Sequence, residues 1–210
     1  MDSAQTARWL RESSSAIADN KDYLTQLDAA IGDADHGSNM TRGFAAVEQK
    51  LDELDGGSPP GRILIAAGQT LVSTVGGASG PLWGTALRRA GRAMGDVEQV
   101  DDEGLIEALE AAVDGVVELG AAQPGDKTMV DALRPAVDAL RAETPEGGLA
   151  RGLAAATAAA EEGMQATVPM LARKGRASYL GERSIGHQDP GATSAALIIG
   201  ALERALAGPA

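Results

Sequence analysis

Apolar residues recur along most of the chain at intervals of three and four positions, the spacing that places them on one face of an α-helix. The clearest example is the stretch 101–121, in which Leu105, Leu109, Val113 and Val116 form one stripe. Alternating β-branched runs, which are typical of half-buried strands, are missing from the sequence. The chain is therefore predicted to be all-α.

The pattern divides into eight helical stretches. They are predicted at about 3–28, 39–54, 60–76, 79–95, 101–121, 128–143, 147–168 and 190–207. Asp189 directly before Pro190 marks the last start, since aspartate is a favoured N-cap and proline a favoured first-turn residue. Because short loops favour antiparallel neighbours, we expect an eight-helix antiparallel up-and-down bundle or closed barrel, with residues 1–210 forming one domain.

Charge and composition limit the functions that remain. The chain has 18 basic and 30 acidic residues, a formal charge of -12, which argues against binding to a nucleic-acid backbone. An anionic ligand should therefore be held locally, through metal. The absence of cysteine excludes disulfides and thiolate metal sites. The sequence shows neither a signal peptide nor an apolar run of membrane-spanning length, so a cytoplasmic location without a membrane partner is expected.

Three carboxylates lie within eight positions, where one helix should end and the next begin: Asp28, Asp33 and Asp35. Without a cation they would repel one another. In an extended stretch, residues two apart point the same way, and carboxylate oxygens suit Mg²⁺. A calcium loop starting at Asp33 fails, because Ser38 stands where glycine is needed and Phe44 where glutamate is needed. A polar turn with Asn39 capping the next helix is the alternative.

Two further segments are candidates for binding an anion. Small residues at 76–81 lead into a helix start, where backbone N–H groups can approach an anion, although a tight helix–helix turn would look the same. The loop 172–189 carries Arg176 and Arg183, which could offset phosphate charge, although a solvated connection is the alternative. The segment 120–128 is not a Walker motif, because Asp126 precedes Lys127 and a helix rather than a strand leads into it.

Four strings occur in series over nearly the whole chain. They are LDAAIGDADHGSN (27–39), VGGASGP (75–81), PGDKTM (124–129) and KGRASYLGERSIGHQDPG (174–191). In order and spacing they resemble the L subunit of dihydroxyacetone kinase. The resemblance implies a barrel of eight antiparallel helices with ADP or ATP at one end, its phosphates joined to two Mg²⁺ ions by Asp28, Asp33 and Asp35.

The resemblance also implies the residues that surround the nucleotide. These are His36, Gly37, Ser38, Asn39, Ala78, Ser79, Gly120, Met129, Arg176, Asp189, Pro190 and Gly191. Met129 is a suitable apolar contact for adenine. No catalytic residue is assigned to this chain, because the resemblance implies that a separate K subunit holds the keto-sugar on its own histidine. A phosphohistidine-carrying M subunit would rephosphorylate the bound ADP.

Several alternatives stay open at this stage. A branch of such kinases exchanges free ATP, and the sugar could be erythrulose rather than dihydroxyacetone. A fatty-acid kinase domain shares the aspartate motif but is fused to further domains, whereas this chain ends soon after its eighth predicted helix. A nucleotide-dependent regulatory adaptor would use the same site, and a homodimer is compatible with the sequence. The length of 210 residues favours the phosphotransferase-dependent kinase subunit.

Overall fold

A computed structural model describes residues 1–54 and 57–207. These residues contain no β-strand, so the all-α prediction is confirmed. The α-helices are α1 (Ser3–Asp19), α2 (Lys21–Ile31), α3 (His36–Glu53), α4 (Pro60–Thr74), α5 (Ser79–Met94), α6 (Asp102–Gly120), α7 (Val130–Ala166) and α8 (Pro190–Leu206). A 3₁₀ helix (Arg176–Ser184), interrupted at Gly181, lies between α7 and α8 in the predicted loop 172–189. Positions 55, 56 and 208–210 of the predicted domain lie outside the described residues.

The predicted extent of the first helix, 3–28, is wrong, because the helix is interrupted at Asn20 and a second helix continues to Ile31. The side-chain amide of Asn20 donates to the carbonyl of Ala16 at 2.9 Å. Asparagine readily makes such local bonds, which compete with a continuous helix ladder. α1 and α2 together therefore occupy the place of one predicted helix.

The sixth and seventh predicted helices are the two arms of α7, which reverses at Gly148 (φ 74°) instead of at 144–146. A Cβ on Gly163 would lie 2.1 Å from the carbonyl oxygen of Asp131, and a Cβ on Gly152 would lie 2.1 Å from Oγ1 of Thr144. The arms thus pack antiparallel with backbones almost touching. Counted in this way, the described chain has the eight antiparallel segments that the sequence predicts.

Neighbouring segments pack in a ring that runs from α1 through α3, α4, α5, α6 and α7 to α8, and α8 packs against α1. The indole Nε1 of Trp9 closes this ring by donating to the buried carbonyl of Ile198 at 3.0 Å. Between α4 and α5, glycines replace side chains, since a Cβ on Gly68 or Gly84 would lie within 2.7 Å of the facing backbone or side chain. The ring encloses a core of Leu, Ile, Val and Ala.

Antiparallel packing gathers many helix ends on one side of the ring. α2, α4 and α6 end there, α3, α5 and α8 begin there, and both ends of α7 lie there. The loops 32–35, 75–78, 121–129 and 167–189 therefore share one end of the molecule. N-terminal helix ends present free N–H groups, which favour anions. None of the helices in residues 1–54 and 57–207 combines the length and apolar composition that crossing a bilayer requires.

Candidate functional site

A cavity of about 260 Å³ opens among these loops. Every residue that the family resemblance assigns to the site lines it except Gly37 and Ser38, and of the two arginines proposed in the loop 172–189 Arg176 lines it and Arg183 does not. Gly37 is buried against α2, where a Cβ would lie 2.1 Å from the carbonyl of Lys21, and Ser38 is exposed on the first turn of α3. The structure thus brings together residues from five separate stretches of sequence. Their ligand contacts stay predictions.

The three aspartates form the acidic side of the cavity. Carboxylate oxygens of Asp28, Asp33 and Asp35 lie within 4.8 Å of one another. Oxygen ligands on opposite sides of one Mg²⁺ lie about 4 Å apart, so this spacing fits ions bridging the cluster. The prediction that Asp33 and Asp35 share a face of an extended stretch is wrong, because Ala34 has φ 63°. A local turn, not strand geometry, brings the two side chains together.

Asp28 also organises the start of α3. Its Oδ2 accepts from the backbone N–H groups of Asp35 (2.9 Å) and His36 (3.1 Å). A Cβ on Gly32 would lie 2.0 Å from Oδ1 of Asp28, so this carboxylate can stand here only beside glycine. The helix consequently begins at His36, not at the predicted 39. Asn39 is no cap, since it lies inside the first turns and its Oδ1 accepts from Arg42 at 2.7 Å.

His36 is buried and connects three helix starts. Its Nδ1 lies 3.3 Å from Oγ of Ser79, and its Nε2 lies 3.0 Å from Oγ of Ser194. The Ser194 hydroxyl donates to the carbonyl of Gly191, so the hydrogen bonds assign the donor to Nε2 and the acceptor to Nδ1. Burial lowers the pKa of His36, although Asp28 and Asp35 act in the opposite direction. Burial therefore favours the neutral ring, whose Nδ1 can accept from the Ser79 hydroxyl.

Arg176 brings positive charge to the aspartate cluster. Its Nη2 lies 3.1 Å from Oδ2 of Asp33, and its side chain is 68% exposed. An exposed pair of this kind contributes only about 0–1 kcal/mol to stability. The guanidinium can therefore exchange this carboxylate for a phosphate oxygen at small cost.

The turn 121–129 also lines the cavity and carries the buried Met129. Asp131 fixes this turn by accepting from the backbone N–H groups of Gly125 and Thr128. Lys127 lines the cavity too, yet sequence reasoning set it aside once the Walker motif was rejected. A lysine inside a glycine-rich turn of an acidic chain is the signal that could have pointed to it.

Asp189 caps α8, as predicted: its Oδ2 accepts from Ala192 N–H at 2.7 Å, and Pro190 occupies the first turn. The carboxyl group is buried. Burial raises the pKa of Asp189 to about 7, and Asp131 adds to the rise. The Ala192 N–H group and the charge of Lys127 act against it.

The family described as the DAK2 domain matches residues 30–204. The chain belongs to the DAK2 domain family. This DAK2 chain is 48% identical over 191 residues to the ADP-binding subunit DhaL of the PEP-dependent dihydroxyacetone kinase of Escherichia coli, with 90% of both chains covered. The resemblance to L subunits that the four sequence strings indicate is thereby confirmed.

Two longer proteins also resemble this DAK2 chain. The L-erythrulose 1-kinase of Mycolicibacterium smegmatis is 42% identical over 187 residues, which are 88% of this chain and 32% of that protein. The crystal structure of the dihydroxyacetone kinase from C. freundii in complex with AMP-PNP and Mg²⁺ matches with a TM-score of 0.73 at 27% identity. It covers 95% of this chain and 33% of that one, so the DAK2 chain spans about a third of either protein.

Proposed function

We propose that this chain is the nucleotide-binding subunit of a multi-subunit dihydroxyacetone-type kinase, forming one domain and working in the cytoplasm. One observation carries the proposal. Three carboxylates converge within 4.8 Å beside an arginine in a chain 48% identical to an ADP-binding kinase subunit across 90% of both lengths. The reaction class is phosphoryl transfer to an alcohol group.

Asp28, Asp33 and Asp35 would hold magnesium, in our proposal two ions. The donor set fits, since it consists of hard oxygen ligands close enough to share ions. When bound, the metal supplies charge neutralisation for phosphate oxygens. The two backbone N–H groups that donate hydrogen bonds to Asp28 hold its carboxylate in place before any ligand binds.

The remaining residues would hold the nucleotide itself. Arg176 can pair with phosphate oxygens, and the backbone N–H groups at the starts of α3, α5 and α8 face the same end. Met129 offers an apolar surface for the base. These groups position and neutralise, which is most of what phosphoryl transfer requires of a protein.

This chain would not bind the keto-sugar. We infer that a K subunit presents the sugar on its own histidine and that an M subunit rephosphorylates ADP from a phosphohistidine. Support comes from the E. coli relative, whose name describes a PEP-dependent kinase with an ADP-binding subunit. The site opens at one end of the helical ring, where two partners could reach it in turn. A homodimer is compatible with this arrangement if it leaves that end free.

The decisive experiment combines native mass spectrometry with a transfer assay. We expect purified protein to retain ADP and two Mg²⁺ ions, and to pass phosphate from a phosphorylated M subunit to dihydroxyacetone on a K subunit. Nucleotide-free protein that gains no bound ADP when Mg-ADP is added would contradict the nucleotide site. Transfer from free ATP without any M subunit would contradict the phosphotransferase-dependent assignment alone.

A second candidate substrate has its own support. The 42% identity to an L-erythrulose 1-kinase over 88% of this chain is close to the identity with the dihydroxyacetone kinase subunit. Replacing dihydroxyacetone by erythrulose in the same assay distinguishes the two. Because the sugar would bind to the K subunit, a preference should follow the K subunit supplied and not this chain.

A further inference from the structure

The buried ammonium of Lys127 lies beneath the candidate nucleotide site, and none of the functions above uses it. The residue is 1% exposed, and its Nζ donates to the carbonyls of Met170 (3.2 Å), Ser184 (2.7 Å) and His187. Its backbone has φ 63°, a conformation that glycine adopts more easily than lysine. A side chain placed from such a backbone position must contribute through its own contacts.

The contacts exclude a direct role toward phosphate. An ammonium group has three N–H donors. All three point to backbone carbonyls, so none remains for a ligand oxygen unless a carbonyl loses its donor. Lys127 therefore differs from the phosphate-binding lysine of a Walker motif, despite the glycine-rich turn around it.

The three carbonyls lie on both sides of one folded segment, residues 167–189. Its base is closed by Gly186 N–H donating to the carbonyl of Val168 (2.8 Å) and by Asp189 N–H donating to Oγ1 of Thr167 (3.0 Å). Met170 is on the outgoing side, and Ser184 and His187 are on the returning side. The ammonium thus joins the two sides to each other and to the turn 121–129.

The part of the segment beyond this joint carries Arg176, the residue that reaches Asp33. A second link, from Arg173 N–H to the carbonyl of Asp126 (3.0 Å), ties the same segment to the same turn. Removing the ammonium would leave three carbonyls without their donor, and buried carbonyls without donors are unfavourable. The segment would then open to reach water, and Arg176 would move with it.

We propose that Lys127 is a positioning residue: its ammonium locks the segment 167–189 onto the turn 121–129 and so fixes where Arg176 and Met129 stand in the site. The effect on ligand binding rests on the proposed function, since it requires that Arg176 act on nucleotide phosphate. The lock itself does not depend on a nucleotide.

Hydrogen exchange without nucleotide tests the lock. Lys127→Met keeps the side-chain length but removes the charge and the donors, and Lys50→Met is a matched control at a surface lysine paired with Glu53. The Ala172 N–H donates to Oγ of Ser184 across the same segment at 3.0 Å. We expect the hydrogen-bonded amides of Ala172, Arg173 and Gly186 to exchange at least tenfold faster in Lys127→Met only. Unchanged exchange in these amides would overturn the proposal. Lys127→Arg, which keeps charge and donors, should restore part of the protection.

Binding of Mg-ADP tests the consequence through a double-mutant cycle with Arg176→Ala. Lys127→Met should weaken binding about ten- to thirtyfold, and adding Arg176→Ala should then weaken it by much less than it does in the wild type. Independent, multiplicative losses would show that Lys127 does not act through Arg176. Failure of the wild type to bind Mg-ADP would instead defeat the proposed function, while the exchange result still decides the lock.

If Lys127→Met does not fold, the unaltered protein provides the answer. An ammonium held by three carbonyls and shielded from water should give a slowly exchanging ¹⁵N-detected lysine signal. The signal should keep its position when Mg-ADP is added, because its donors stay on the carbonyls. A large change in this signal on adding Mg-ADP would make Lys127 a phosphate ligand and overturn the positioning role.

Discussion

At the scale of single residues, Asp28 takes part in two structures at once. One of its oxygens caps α3, and the same carboxylate belongs to the aspartate cluster. Replacing it would disturb a helix start together with the proposed metal site, so the two effects could not be separated. Asp33 and Asp35 lack this double role, since neither side chain makes a cap hydrogen bond to α3. Asp33 is therefore the better probe of the cluster.

Asp33→Asn should leave the metal-free protein nearly unchanged and impair the loaded one. Without metal the substitution removes repulsion between carboxylates but also the exposed pair with Arg176, two effects of about 1 kcal/mol or less in opposite directions. With Mg-ADP, the lost ligand should cost on the order of 2–4 kcal/mol of affinity. Melting temperatures in EDTA and in saturating Mg-ADP measure both. Asp138→Asn, at an exposed position, is the control. If Asp33→Asn keeps the full stabilisation by Mg-ADP, Asp33 is not a metal ligand.

Asp189 predicts a pH dependence of stability. Its carboxyl has a pKa of about 7 in the folded protein, against an ordinary value of 3.8. Between about pH 4 and 7 the unfolded chain releases this proton while the folded protein keeps it, so the free energy of unfolding falls as pH rises. Asp189→Asn keeps the cap but has no proton to release, so its free energy of unfolding should not fall in this way. Relative to the wild type, the mutant should therefore become more stable by roughly 2–4 kcal/mol as pH rises across this window, which melting temperatures report.

The matched control for this pH experiment is Asp101→Asn at the exposed start of α6. Asp101 caps its helix by accepting from Gly104 N–H at 2.8 Å, as Asp189 caps α8. Its substitution should leave the pH slope as in the wild type. Thermal unfolding of the three proteins in EDTA from about pH 4 to 8 makes the comparison, and parallel curves for wild type and Asp189→Asn would show that the buried carboxyl does not titrate in this range.

At the scale of elements, the helix pattern was readable from sequence because each helix has an apolar stripe facing one core. The residues at which helices begin and end were harder to predict from the sequence. α3 begins early because Asp28, seven residues before Asp35, caps it, and α1 ends because Asn20 bonds to Ala16. Such contacts depend on side-chain positions that periodicity does not encode. Within the site, the role of Lys127 was not predicted for the same reason, since its three acceptors lie more than forty residues away in the sequence.

The packing of the two arms of α7 and of α8 predicts opposite effects for two glycine-to-alanine substitutions. Gly163→Ala would place a Cβ 2.1 Å from the Asp131 carbonyl, so the arms must separate, at a cost of about 1–3 kcal/mol. Gly200 in α8 has only ordinary contacts, the nearest 3.4 Å away at a flexible arginine, so Gly200→Ala should stabilise by about 0.5–1 kcal/mol. Urea unfolding measures both, and equal signs would contradict the packing.

Gly163→Ala should also affect ligand binding at the site. Asp131 holds the turn that carries Met129 by accepting from Gly125 and Thr128 N–H groups. Moving Asp131 should loosen that turn and weaken Mg-ADP binding, whereas Gly200→Ala should leave binding unchanged. Isothermal titration of both variants separates the hairpin's structural role from its effect on the ligand.

At the scale of the whole molecule, the site exists only when the ring is complete. It draws on the ends of six helices and on loops that are far apart in sequence. A ligand bound there contacts most of the fold and should oppose global unfolding. With Mg-ADP at about a hundred times its dissociation constant, the expected gain is about 2.7 kcal/mol. For a chain of this size that corresponds to a rise in melting temperature of roughly 5–11 °C.

Differential scanning calorimetry of the protein with Mg-ADP, and with ADP in excess EDTA, measures this gain. The rise should disappear largely in EDTA, because the aspartate cluster would repel bare phosphates. A single transition is expected in both cases, since the ring offers no separable half. An equal rise in EDTA would mean that the nucleotide is held without metal.

The ring also determines where another molecule can be joined to this protein. The amino group of Met1 donates to the carbonyl of Val100, and Arg8 donates to the carbonyl of Ala205, so the first and last helices meet at the end remote from the cavity. A tag, a fluorophore or another folded protein joined to the last helix there would stand roughly 25 Å from the cavity, about the length of one of these helices. Immobilisation through that end leaves the ligand entrance facing solution, and the same layout lets a domain of this kind be carried as a part of a longer polypeptide.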